Sequence, residues 1–181
     1  MRIKRDQTAL IVCDVQEYEF VHVYQSDLIT LQMIRLIKGM QTMKAPVLLT
    51  EHTPELKGAT LPEIDAAITG QSEAYGRTSF SVLGDPAIKK QLDDFRVSNL
   101  VICGIEAHIS IMQTTLDAIE EGYQVAFPED TISARTLDDK RTAISRMTQE
   151  GAKIGTVESI LFEMCADTST EEYKAIAKLV S

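Results

Sequence analysis

Two short stretches of the chain place chemically capable side chains directly after apolar runs. The first is TALIVC (residues 8–13), closed by Asp14. A carboxylate there can cap a turn or a helix, a common use of Asp, or it can move a proton in a crevice; position alone leaves both open. The second is LVIC (100–103), followed by GIEAHIS from Gly104 to Ser110. Ser110 falls in the first turns of a helix. It is there either as a small polar residue near a helix start, or as a group in the field of free backbone N–H groups, which can hold an oxyanion. PVLLT (46–50) ends in Glu51, and a weaker run at 124–127 leads towards Asp130.

These side chains need elements to hold them. The apolar runs are continuous rather than alternating, the pattern of parallel strands buried on both faces. Strands are expected at 8–13, 46–50 and 100–103, with weaker candidates at 124–127 and 153–157. Between them the apolar residues recur at helical spacing. Residues 28–43 put Ile29, Met33, Leu36, Ile37 and Met40 on one side. Residues 85–95 begin with Asp85-Pro86, a helix-start pair. Residues 106–121 stop at Gly122, and 137–150 stop at Gly151, both good C-terminal stops. The last helix, 170–180, is preceded by Ser169-Thr170 as a cap, with Glu171 and Glu172 in its first turn. The alternation of strand and helix predicts an α/β chain with a mainly parallel sheet. Ligands of such sheets bind at the carboxyl ends of the strands, where strand order reverses. Asp14, Glu51, the segment from Gly104 and the Asp130 region are therefore the places where chemistry is expected.

The 181 residues carry 18 Lys+Arg against 27 Asp+Glu, a formal net charge of −9, with 44% apolar and 25% charged residues. That mix suits one domain over residues 1–181 with a sizeable core. It excludes a disordered or collagen-like chain. The acidic balance argues against a nucleic-acid partner, because phosphate contacts need a basic face. No stretch approaches the roughly 20 apolar residues of a membrane span. Cys13, Cys103 and Cys165 are odd in number and widely spaced, which is neither a disulfide framework nor a zinc-finger spacing. With no apolar leader at the start, a reduced, cytoplasmic protein is expected.

Several chemistries lack their motifs. There is no G-x-G-x-x-G after a strand, no phosphate-binding G-x-x-x-x-G-K-[ST] loop and no G-x-S-x-G elbow. His22, His52 and His108 stand far apart in sequence without ligand spacing.

The segments ALIVCDVQE (9–17), PVLLTEHTPELKGATLPEI (46–64), RTSFSVL (77–83), LVICGIEAHISIMQTTLDAIEEGYQV (100–125), PEDTISAR (128–135) and RMTQEGAKIGTVESILFEM (146–164) occur in this order over nearly the whole chain. Together they resemble the isochorismatase-like cysteine hydrolase superfamily, in particular its small isochorismatase domain-containing proteins. The resemblance implies a three-layer, Rossmann-like α/β fold: a roughly six-stranded parallel sheet with helices on both faces. It also implies a catalytic triad of Asp, Lys and Cys. Asp14 matches the Asp, but Arg77 stands at the Lys position and Ser110 at the Cys position. Gln16, Ile105 and Glu106 match pocket positions and are expected to bind substrate. A non-proline cis peptide is typical just after the motif's glycine, here between Ile105 and Glu106.

Two of the three triad positions are thus substituted. In relatives with the triad, the Asp takes the thiol proton, and the thiolate attacks an amide or similar carbon. A serine hydroxyl ionises far less readily and needs a base aligned with it. Arg77 cannot exchange protons as Lys can, and its fixed charge favours the carboxylate form of Asp14. Nucleophilic hydrolysis is therefore expected to be slow or absent. Some relatives cleave an enol ether without the cysteine, using the Asp as general acid. Asp14 with Ser110 would tolerate that scheme, and Arg77 would bind a substrate carboxylate well. Nicotinamidase relatives carry an Asp-x-His-x-x-His metal site after the second strand; EHTPE (51–55) lacks the second His, so no metal and no cofactor are expected. The aromatic after DVQE is displaced to Tyr18 and Phe20. His108 is expected to be structural, and Cys13 and Cys103 inert within buried strands. The expected partners are a small-molecule ligand or substrate and, from the relatives, further copies of the chain, with no nucleic acid and no membrane. The alternative is a non-catalytic binding or scaffold protein that retains the fold.

Overall fold

The structure, a computed structural model, describes residues 2–70 and 73–181. Among them, six strands form one parallel sheet: β1 (Thr8–Cys13), β2 (Val47–His52), β3 (Tyr75–Arg77), β4 (Asn99–Gly104), β5 (Gln124–Pro128) and β6 (Lys153–Gly155). Their order is β3-β2-β1-β4-β5-β6. The order reverses between β1 and β4, which pair from Thr8↔Asn99 to Cys13↔Gly104. Both central strands are buried along their whole length, as their unbroken apolar runs require.

The two-residue period of β1 divides the interior into two cores. Leu10 and Val12 face α2 (Ser26–Thr42), α8 (Val157–Cys165) and α9 (Glu171–Val180), meeting Met33, Leu36, Leu161 and Ile176. Ala9, Ile11 and Cys13 face α5 (Pro86–Phe95), α6 (Met112–Glu120) and α7 (Leu137–Gln149), meeting Ile88, Leu92, Ala118 and Met147. This is the expected three-layer α/β fold with helices on both faces. Three short helices, α1 (Glu17–Phe20), α3 (Pro54–Lys57) and α4 (Pro62–Asp65), sit in the connections after β1 and β2. No helix among the described residues is long and apolar enough to cross a membrane.

The structure departs from the sequence expectations in four places. Strand β2 runs on to His52, because β3 pairs beside Thr50, Glu51 and His52. Strand β3 has the sequence Tyr-Gly-Arg and carries no apolar run to announce it. The run at 153–157 is a strand only to Gly155. Thr156 instead caps α8, accepting from the Ser159 N–H while the Ser159 side chain returns a bond to the Thr156 backbone, a capping box. At α9 the Thr170 hydroxyl makes no cap; it donates to the Asp167 carbonyl. Asp85 behaves as expected and accepts from the N–H groups of Ala87 and Ile88.

Gly104 ends β4 at φ 119°. A Cβ on it would lie 2.0 Å from the Cys13 carbonyl oxygen, so only glycine lets the chain leave β4 tight against β1. Gly122 also has positive φ, but open space around it. Gly104→Ala is expected to lower the unfolding free energy by about 3 kcal/mol or more, or to abolish folding. Gly122→Ala is expected to cost about 1 kcal/mol. Urea denaturation of the two variants checks this; equal losses would contradict it.

Candidate active site

Three neighbouring strands build the polar centre. Asp14 follows β1 in the left-handed region, φ 57°, with its N–H donating to the Thr50 carbonyl of β2. That turn swings the carboxylate across the strand ends. Oδ1 accepts from the Thr50 hydroxyl at 3.2 Å, and Oδ2 accepts from Arg77 Nη2 at 2.7 Å. Arg77 is the last residue of β3, in register with His52. Its Nη2 also lies 3.5 Å from Cys13 Sγ. The ion pair is sealed: side-chain exposure is 0% for Arg77 and 3% for Asp14.

The other wall comes from the end of β4. The Ile105 N–H donates to the Cys13 carbonyl, and the Ile105–Glu106 peptide is cis, at the bond expected. The next residues, Ala107–Ile111, form a π-helical turn that runs directly into α6. The Glu106 carbonyl accepts from both the Ile109 and Ile111 N–H groups. Ser110 lies in this turn and is 4% exposed. Four residues on, Thr114 accepts from the Val82 N–H, which ties the segment after Arg77 to the helix carrying Ser110. Asp14 and Arg77 are therefore in direct contact. Ser110 stands buried at the same end of the sheet, and among the described residues no hydrogen bond joins its hydroxyl to Asp14.

The remaining candidates fall into place around this centre. Gln16 is fully buried, and its amide joins two backbone groups, accepting from the His52 N–H and donating to the Gly58 carbonyl. It braces the turn after β1 against β2 and the segment at Gly58. Ile105 is buried in the apolar core. Glu106 reaches outward to Arg135, Oε1 to Nε 2.9 Å, and the Arg135 side chain is 59% exposed. His108 Nε2 lies 3.3 Å from Arg135 Nη2; since arginine only donates, Nε2 is the acceptor and the proton sits on Nδ1. The other strand-end carboxylates serve structure. Glu51 accepts from the Thr60 N–H and hydroxyl. Asp130 accepts from the Val157 N–H at the start of α8, with burial raising its pKa. His52 Nε2 is 3.0 Å from the Thr78 carbonyl and so carries a proton, which leaves this ring anchored by backbone. Sequence reading missed Thr50 as the second partner of Asp14; the one signal was a polar residue closing an otherwise apolar run.

The electrostatics disfavour the nearest thiol as nucleophile. Burial pushes the Cys13 thiol well above its ordinary range, and the charge of Asp14 adds to this, against partial relief from Arg77 and Thr50. Burial alone does the same to Cys103. Burial opposes the charge of Arg77, but Cys13 and Asp14 outweigh it and its pKa is raised. Removing one partner of a buried pair leaves an uncompensated charge. Arg77→Met is therefore expected to cost about 3–5 kcal/mol, and the double variant Asp14→Asn/Arg77→Met to recover most of that loss. Urea midpoints of the three proteins decide it; a double variant no more stable than Arg77→Met would contradict it.

The profile of the Isochorismatase domain matches residues 8–159. Isochorismatase domain-containing protein 2 of Bos taurus is 33% identical over 180 residues, spanning 99% of this chain and 85% of its own. A solved structure described as the MAR1 ribonuclease from Caenorhabditis elegans superposes with a TM-score of 0.94 at 29% identity, covering 99% of this chain and 92% of its own. The YcaC gene product of Escherichia coli, described as an octameric hydrolase of unknown specificity, shares the fold with a TM-score of 0.92 at 21% identity, over 99% and 89% of the two chains. The profile covers most of the chain and the relative is matched over nearly all of it, and this chain belongs to the isochorismatase domain family.

Proposed function

We propose that Asp14, Arg77 and Ser110 are the counterparts of the family's Asp-Lys-Cys triad. They serve a small-molecule site whose hydrolysis of an amide or enol ether is reduced, altered or lost. The observation that carries this reading is the 2.7 Å bond from Arg77 to Asp14, at the end of the sheet where Ser110 also lies, its hydroxyl without a bond to that carboxylate among the described residues. Asp14 is the base the resemblance supplies, and it takes a proton only by loosening its charge-assisted bond to Arg77. A hydroxyl nucleophile needs its base aligned with it; Ser110 gains that alignment only if substrate draws the groups together. Glu106, with Arg135 behind it, borders the approach, while Gln16 and Ile105 hold the walls. The alternative is a binding protein that keeps the same crevice and performs no turnover.

The description of the C. elegans structure favours a second reading, cleavage of RNA. The net charge of −9 counts against it, since affinity for a polyanion rests on basic side chains. Self-association is also part of the reading. Tyr18, Val21, Leu28, Leu31 and Leu56, on and around α1, the start of α2 and α3, are exposed apolar side chains, and the E. coli neighbour is described as octameric. Three free, buried cysteines suit a reducing compartment such as the cytoplasm.

Turnover of a panel of small amides and enol ethers, with a single-stranded RNA alongside, tests this function. Asp14→Asn is expected to abolish whatever hydrolysis the wild type shows. Ser110→Cys is expected to gain rapid reaction with a thiol reagent, against a low background from the buried native cysteines, and to raise amide hydrolysis. Turnover unchanged in Asp14→Asn, or a folded Ser110→Cys that neither reacts nor gains activity, would count against the triad. RNA cleavage lost in Asp14→Asn would favour the second reading.

A further inference from the structure

The polar centre is closed. The Arg77 side chain is 0% exposed and that of Asp14 3%, and Ser110 is 4% exposed. A ligand reaches Asp14 and Ser110 only if part of the surrounding chain moves aside. One segment lies across the point where strand order reverses. It leaves β1 at Asp14, forms α1 (Glu17–Phe20) and ends at Tyr24, before Gln25 and α2. At its far end the Tyr24 N–H donates to the Ala134 carbonyl, and the Tyr24 carbonyl accepts from the Ser133 hydroxyl at 2.6 Å. Ser133 lies beside the end of β4: its N–H donates to the Gly104 carbonyl, and its neighbour Ile132 forms a bridge with Gly104. The segment therefore starts at the end of β1 and is fastened beyond the end of β4, so it spans the crevice between them.

Its polar fastenings sit at its two ends. Near the start, the Glu17 N–H donates to the Ala59 carbonyl, and Lys57 pairs with Glu19 at 2.8 Å, both side chains partly exposed. Between Glu19 and Tyr24 the backbone bonds among the described residues are internal, His22 to Glu19 and Val23 to Phe20. Phe20 and Val23 plug the core, whereas Tyr18, Val21 and His22 face outward. Gln25, which joins the segment to α2, is left-handed at φ 56°, and its side chain makes no cap. Glutamine keeps that conformation only where its surroundings impose it, which makes Gln25 a hinge. We propose that residues 17–24 are a strap over the site: it swings on Gln25 to admit a small-molecule ligand to Asp14 and Ser110, and closes again behind it. Its latches are the Glu19–Lys57 pair and the bond from Ser133 to Tyr24. This rests on the reading of Asp14 and Ser110 as the site. Closure shields the ligand from bulk water, where the charges of Asp14 and Arg77 act most strongly.

The experiment uses the full chain carrying Ser110→Cys as a probe, with iodoacetamide labelling followed site by site by mass spectrometry. Removing both latches with Lys57→Met and Ser133→Ala is expected to raise the labelling rate at position 110 about tenfold, as the loss of one exposed ion pair and one hydrogen bond implies. Cys165, buried in α8, is expected to be labelled at an unchanged rate, which separates strap opening from general loosening. A rate at position 110 unaltered by loss of the latches, or raised only in step with Cys165, would overturn the proposal. Hydrogen exchange of the wild type is the second measurement and decides alone if the variants fail to fold. Tyr24 and Ala107 donate to neighbouring carbonyls, Ala134 and Ser133, one from the strap and one from the fixed wall. The Tyr24 N–H is expected to be less protected by about tenfold; protection as strong as that of Ala107 overturns the proposal. A second copy resting on Tyr18 and Val21 would hold the strap shut, so labelling is run on dilute and on concentrated protein, and latch dependence at neither concentration overturns it. Latch-dependent labelling without turnover of any substrate keeps the strap and sinks the hydrolase reading. Turnover that Asp14→Asn abolishes, with labelling indifferent to the latches, does the reverse.

Discussion

A cation and an anion removed from water at the end of the sheet set the terms for everything around them. Taking each charge out of solvent costs several kcal/mol, and the mutual attraction repays this only with close geometry and further hydrogen bonds. Arg77 and Asp14 meet at 2.7 Å with the Thr50 hydroxyl as second partner of the carboxylate. That geometry needs three strands in fixed register, since Asp14 follows β1, Thr50 lies in β2 and Arg77 closes β3. The left-handed turn at Asp14 is held by its N–H on the Thr50 carbonyl. The same residue whose backbone locks β1 to β2 therefore aims the carboxylate at Arg77.

The two cores supply the rigidity on which this register depends. Leu10 and Val12 are fully buried on one face of β1, and Ala9, Ile11 and Cys13 on the other. A one-residue slip would interchange the two sets and carry the site with it. At β4 the constraint is steric: Gly104 passes so close to Cys13 that no side chain fits. Beyond it the backbone is pinned on both sides, by Ile105 to the Cys13 carbonyl and by Ala107 to the Ser133 carbonyl. The π turn bearing Ser110 begins from that anchored point. Its hydroxyl is thus placed by backbone ties, independently of the ion pair.

Much of the architecture was legible because its signals are local. Continuous apolar runs marked β1, β2 and β4, and helical spacing marked α2, α5, α6 and α7, with Asp85-Pro86 and the glycines after residues 121 and 150 setting their ends. Strand β3 was not legible, because Tyr-Gly-Arg has no pattern of its own and is a strand only through pairing with Thr50, Glu51 and His52. The start of α8 was read as strand, because Thr156 looks β-prone until its hydroxyl finds the Ser159 N–H. At α9 the Thr170 hydroxyl had a nearer acceptor in the Asp167 carbonyl, so the cap suggested by residue type did not form.

The site divides the same way. The amino-acid sequence by itself determined that Asp14 follows an apolar strand and that Ser110 lies near a helix start; its resemblance implies that arginine and serine stand where lysine and cysteine are usual. Residue identity and short-range periodicity carry that information. Only the tertiary structure decided that Arg77 grips Asp14 while Ser110 does not, that Thr50 completes the carboxylate, that Gln16 braces backbone, and that two nitrogens of Arg77 are buried without acceptors among the described residues. Those outcomes depend on distances between residues 36 to 64 positions apart, and such distances exist only once the strands have packed side by side.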